Sequence, residues 1–175
     1  MKLTYVFIAV VLTGGIAAAS NFYLANETVE DGENSDGAVA KPRIDSYADD
    51  SRLIEIKIGN AVLAAEVAAS PQKKAKGLSG RNALGENEGM LFVYDAPGMY
   101  GFWMQGMKFD LDFVWIRDDT VVGLTTYVSV PEEGSGNLPA YYPPEPADMV
   151  LEINAGSVDK FGIGKGMTTQ PIIFQ

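Results

Sequence analysis

The chain has 175 residues, 47% of them hydrophobic, and a formal charge of −10, which is material for one cored domain with a short segment beside it. It contains neither Cys nor His, so thiol nucleophiles, disulfides, Cys or His zinc sites and Ser-His-Asp triads are excluded. The acidic balance, with no long run of Lys or Arg, leaves no electrostatic footprint for nucleic acid and little pull toward anionic lipid.

From Leu3 to Leu24 there is no charged residue, and Lys2 precedes the run. That length spans a bilayer core as a helix, and the flanking charges favour an N-terminus inside and the remainder outside. Residues 1–25 are therefore expected to be a signal-anchor, or a signal peptide cleaved after Ala17-Ala18-Ala19 and before Ser20. Either way the rest of the chain is expected to be extracytoplasmic, with membrane contact through this segment only. Residues 26–50 carry eight acidic and two basic side chains and few large apolar ones, a composition that reads as a disordered acidic linker. Residues 51–175 are expected to form one globular domain.

Within the domain, Leu53–Ile58 alternates apolar and polar residues after its first residue, Gly59-Asn60 supplies a tight turn and Ala61–Val67 returns, which predicts a β-hairpin. Ser70-Pro71 reads as the cap and first position of a short helix that Gly77 ends. Strands are predicted at Gly89–Tyr94, Tyr100–Met104, Asp112–Ile116 and Val121–Val128, with a turn at Asp118-Asp119. Pro131–Pro146 contains five prolines and reads as a long loop. A strand at Met149–Ile153, a brief helix at Ala155–Phe161 and a closing strand at Thr168–Phe174, with Pro171 at an edge or bulge, complete the reading. The expected fold is α+β and β-rich: seven or eight short strands in a curled or barrel-like sheet with two short helices.

Four pieces stand in order: Gly77-Leu78-Ser79-Gly80-Arg81, Gly89-Met90-Leu91-Phe92, Phe102-Trp103-Met104 followed by Leu111-Asp112, and Val150-Leu151-Glu152 with Ala155-Gly156. Together they resemble the uncharacterised family known as domain of unknown function 192 (DUF192), over about Ile54 to Met167. The resemblance implies the fold and a preceding signal or membrane segment, and carries no established activity. After Phe102-Trp103-Met104 the family usually has a basic residue, then Asn, and a Pro before Leu-Asp; here Gln105, Gly106 and Asp110 stand in those places.

Several side chains are candidates for chemistry. Tyr100 and Trp103, near Met99, Met104 and Met107, can form an aromatic platform for a sugar or an apolar ligand; the bland reading of the same stretch is core. Its thioethers also suit a soft ion such as Cu(I), but with no His or Cys beside them no metal and no cofactor is assigned. Asp110 and Asp112, two apart in a strand, share a face, and with Glu88 they are the weak candidates for carboxylate catalysis; a structural hydrogen-bonding role is the alternative. Arg81 can clamp a ligand anion or pair internally with Asp112 or Glu88. Tyr141-Tyr142-Pro143-Pro144 is either an exposed recognition edge or a lid across the core.

The leading reading is a non-catalytic binding or interaction domain whose site uses Tyr100, Trp103, Gln105, Arg81, Asp112, Tyr141 and Tyr142, and whose partner is an envelope small molecule, glycan or protein. The first alternative is a hydrolase of an envelope polymer. The second is a purely structural envelope protein, which would enclose Trp103 and leave no cleft beside it.

Overall fold

The computed structural model describes residues 50–132, 134, 136 and 138–172. The expected N-terminal hydrophobic segment and all of the acidic linker except Asp50 lie outside the described residues. Asp50 itself belongs to the fold. Its carboxylate accepts hydrogen bonds from the backbone amides of Ala69, at 2.8 Å, and Ser70, at 2.9 Å, and from the Ser70 hydroxyl.

The elements run β1 (Leu53–Ile58), β2 (Ala61–Ala68), α1 (Pro71–Lys76), β3 (Glu88–Gly98), β4 (Leu111–Arg117), β5 (Thr120–Val128), β6 (Ala147–Asn154), α2 (Ser157–Phe161) and β7 (Thr169–Ile172). The hairpin β1–β2 turns at Gly59, whose φ of 58° suits glycine. Ser70 caps α1 by accepting from the Lys73 amide, and Gly77 closes it. One predicted strand is absent as a strand: Tyr100–Met104 makes a single bridge, Phe102 to Tyr141. Alternation alone gives a segment an inner and an outer side, but a strand also needs a partner along its length.

All seven strands form one sheet in the order β5-β4-β6-β3-β2-β1-β7. Every paired neighbour is antiparallel except β2 and β3, which run parallel because α1 and the chain up to Asn87 cross over between them. β7 holds the outer edge, the position open to Pro171. At one end the sheet curls round so that its two edges meet: Thr120 bridges Thr168, and the Val121 amide donates to the Met167 carbonyl at 2.9 Å. The result is a half-barrel with two short helices, as the sequence pattern predicts.

Both faces of the central strands are buried, which explains the near-continuous apolar runs of β4 and β6, interrupted by Asp112 and by Asp148 and Glu152. One face gathers Ile56, Leu63, Leu91, Val114 and Leu151 with Val158 of α2. The other gathers Phe92, Phe102, Phe113, Trp115 and Val150 with Leu78 of the crossover. This second core is covered by loops rather than by sheet. Its rings meet edge-on, Phe102 to Trp115 at 5.5 Å and Phe113 to Tyr141 at 5.8 Å. Residues 138–146 lie across it with Pro144 so close to Gly123 that a Cβ there would sit 2.5 Å from the proline ring.

Candidate functional site

The covering of the second core leaves a cleft. One wall is the end of α1 and the start of the crossover, Lys74 to Ser79. The other is the segment after β3, with Gly101, Phe102, Trp103 and Met107. The floor is Phe92, Tyr94 and Glu152 on the sheet. Two hydrogen bonds hold the walls together: the Gly80 amide donates to the Gly106 carbonyl at 2.9 Å, and the Ser79 hydroxyl donates to the Gln105 carbonyl at 2.6 Å. The cavity volume is about 70 Å³, room for a head group of a few heavy atoms and not for a sugar ring chain.

Strand register puts Glu152 on the floor. Across the sheet Glu66, Met90, Glu152, Phe113 and Thr125 form one row. In that row Glu66 has a partner, since Arg81 donates to both its oxygens at 2.5 and 2.8 Å, and this fork holds the Glu66 carboxyl below its ordinary pKa and raises that of Arg81. Glu152 is different. It is 5% exposed, and among the described residues nothing donates a hydrogen bond to it. No described polar side-chain atom is sealed from solvent without a hydrogen bond, so the Glu152 carboxyl opens into the cleft. Burial pushes its pKa up to about 8.

Beside Glu152, Tyr94 stacks on Tyr100 with ring centroids 3.6 Å apart. Burial, then the charges of Tyr100 and Glu152, push the Tyr94 phenol up to about 12. Lys74 lies over the Tyr94 ring with its ammonium 4.3 Å from the centroid, and burial lowers its pKa. Trp103 is 59% exposed at the rim, while its neighbours Phe102 and Met104 are 7% and 2% exposed in the core. The stretch that reads as either platform or core is thus both, residue by residue.

The structure gathers some of the other sequence candidates and disperses the rest. Tyr142 is exposed and packs on Gly101, a cleft residue, where a Cβ would come within 2.9 Å of its ring. Tyr141 lies half-buried against Phe113. Tyr100 backs Tyr94 and donates to the Ala96 carbonyl. Gln105 takes part through its carbonyl, and Arg81 pairs with Glu66 rather than with Asp112 or Glu88. Asp112 is not at the cleft. It faces the opposite core, fully buried, accepting from the Tyr127 amide at 2.8 Å and the Val158 amide at 2.9 Å. Asp110 accepts from the Val130 amide at 2.7 Å, and Glu88 from the Gly85 amide at 3.0 Å. All three carboxylates are engaged by backbone amides, Glu88 by its own turn and the two aspartates by distant segments, and none lines the cleft.

Among the described residues no group of three or more acidic side chains is placed to hold a metal ion, and no helix is long and apolar enough to cross a membrane. Glu152 is the residue that candidate-picking from sequence passes over. Its signal is a lone acid inside the apolar run Met149–Ile153, in a strand buried on both faces.

The sequence pattern of DUF192, described as "Uncharacterized ACR", matches residues 54–170. The chain belongs to this family. No curated protein matches it. Two solved structures are similar. One is a protein of unknown function from Novosphingobium aromaticivorans DSM 12444, with 28% identity over 67% of this chain and 84% of that one, and a TM-score of 0.61. The other is a protein from Sinorhizobium meliloti 1021 described as a "putative transcription regulator", with 25% identity over 69% of this chain and 94% of that one, and a TM-score of 0.60. The departures of this chain from the usual DUF192 residues now have a structural place. Gly106 has φ +70°, a conformation that Gly and Asn share, so Gly here keeps the turn that staples the cleft while dropping a polar side chain.

Proposed function

We propose that this DUF192 domain is an extracytoplasmic binding module that takes the small polar head of a ligand into the Glu152 cleft and rests the remainder on Trp103. The observation that carries the reading is the Glu152 carboxyl itself. A buried ionisable group without a hydrogen-bond partner is costly to a fold, and this one opens toward solvent through an aromatic-lined mouth. An indole 59% exposed beside that mouth is poorly used by a structural protein and well used by a binding one. Catalysis by a carboxylate pair is the weaker reading, because the cleft holds one carboxyl and the three sequence candidates are engaged elsewhere. Nucleic acid is disfavoured by the charge of −10, the main local cluster of basic residues being the lysines of α1.

The export half of the proposal rests on the uncharged run Leu3–Leu24 and its flanking charges. It predicts that the full chain stays with membranes through an alkaline wash, or is recovered outside the cytoplasm beginning at Ser20. Recovery in the cytoplasm with Met1 intact overturns it.

The binding half is tested by thermal unfolding of the full chain against small amines, carboxylates, amides, envelope sugars and peptidoglycan fragments, with Trp fluorescence recorded on the same samples. A ligand that prefers the native state raises the Tm. A saturable rise that vanishes in Trp103→Ala supports the reading. No shift with any compound and no change in fluorescence contradicts it.

A further inference from the structure

We propose that the head group taken by the cleft is an alkylammonium, a primary or methylated amine, held between the carboxylate of Glu152 on the floor and the rings of Phe92, Tyr94, Phe102 and Trp103 around it. This rests on the binding reading above and names the chemistry of its ligand.

Four aromatic residues and one carboxyl line the same small space, with Lys74 and Lys76 in its α1 wall. The face of each ring carries negative potential and attracts a cation within about 6 Å, and the carboxylate does so more strongly. The protein already shows this preference, since Lys74 places its own ammonium over Tyr94. The other nearby cations do not supply Glu152 with a partner. Arg81 gives its fork to Glu66, and the carboxylates that act on Lys74 are Asp95 and Asp50. A volume of about 70 Å³ suits methylammonium or ethylammonium, with a longer chain leaving along Trp103.

Binding of a cation is coupled to a proton. The titratable and charged groups around Glu152 are Lys74 and Lys76 from α1, Tyr94 on β3 with Tyr100 stacked behind it, and the Glu66–Arg81 pair farther along the same row. β4 and the segment after β3 contribute Phe113, Phe102, Trp103 and Met107, which do not titrate. Below about pH 8 Glu152 holds a proton in the free protein, and an ammonium must displace it. Each bound cation therefore releases one proton, and apparent affinity rises about tenfold per pH unit until it levels near pH 8.

The test is isothermal titration of the full chain with methylammonium, ethylammonium, acetate and acetamide at pH 6, 7, 8 and 9, in buffers of different ionisation enthalpy. The proposal expects an ammonium to bind, a gain of about 50-fold from pH 6 to pH 8, and one proton released at pH 6. Glu152→Gln loses at least tenfold at pH 9, and Trp103→Ala weakens binding without altering the pH profile. If Glu152→Gln does not fold, the pH profile and proton count of the parent chain decide. Acetate or acetamide binding more tightly than either ammonium overturns the ligand class and leaves the cleft as a binding site. Ammonium affinity that is flat with pH, or unchanged in Glu152→Gln, also overturns it. No heat and no Trp response with any of the four compounds at any pH overturns both the class and the binding reading.

Discussion

On one face of the sheet Asp112 gives its two carboxylate oxygens to the amides of Tyr127 and Val158 and is fully buried. On the other face Glu152, paired in register with the next residue, Phe113, is almost as buried and receives no hydrogen bond from the described residues. The two acids are neighbours on adjacent strands. The difference is physical: an acid whose lone pairs are satisfied by backbone amides holds the fold, whereas an acid left open to a cleft is the candidate to meet a ligand.

The comparison breaks most violently at Asp112. In Asp112→Ala a buried amide and a part-buried one lose a charged acceptor, and the expected loss is about 3 kcal/mol by urea unfolding, while cleft binding in whatever folds is unchanged. A loss of binding with unchanged stability would return Asp112 to the list of site residues. Next in size is Gly123→Ala. The new methyl meets the ring of Pro144, so the loop over the second core must lift, at a cost of about 2 kcal/mol. Full stability would show that this loop is not packed as a cover.

Glu152→Gln should behave in the opposite sense to Asp112→Ala. In the unfolded chain Glu152 loses its proton near its ordinary value of 4.5, and in the folded chain near 8. Between those values the native state binds the extra proton, so this group's contribution to stability is full below 4.5 and declines as pH rises to about 8. Gln has no such decline. The variant should match the parent near pH 4.5 and melt higher than the parent at pH 9 in parallel thermal scans. Identical pH dependence in both would mean that Glu152 is paired. The smallest effect is expected at Trp103→Ala, within about 0.5 kcal/mol, because the indole is mostly exposed. A large destabilisation there would make Trp103 a core residue and remove the rim of the site.

Much of the fold is written locally and could be read as such. The hairpin of β1 and β2 follows from the alternation of Ile54–Ile58 and the turn at Gly59-Asn60, and α1 from Ser70-Pro71 at one end and Gly77 at the other. What escaped was whatever depends on distant pairing. Arg81 finds Glu66 only because β2 and β3 run side by side through a crossover, so Glu88, nearer in sequence, and Asp112 are the wrong partners. Tyr100–Met104 alternates like a strand, yet it meets the sheet's cover at one bridge. Trp103 and Tyr142 stand out in sequence as members of aromatic stretches, Phe102-Trp103-Met104 and Tyr141-Tyr142-Pro143, but that these two rings turn outward is set by the fold. Glu152 was visible in the resemblance to DUF192 and invisible as chemistry. A single acid in an apolar strand declares itself only when both faces of that strand are known to be buried.

The most direct test of the account is the titration of the Glu152 side-chain carboxyl by carbon-detected NMR in the full chain, with and without methylammonium. The account predicts a midpoint near 8 in the free protein, falling when the ammonium is present. A midpoint in the ordinary carboxylate range, unmoved by any small ligand, would contradict it and make Glu152 one more acid of the fold.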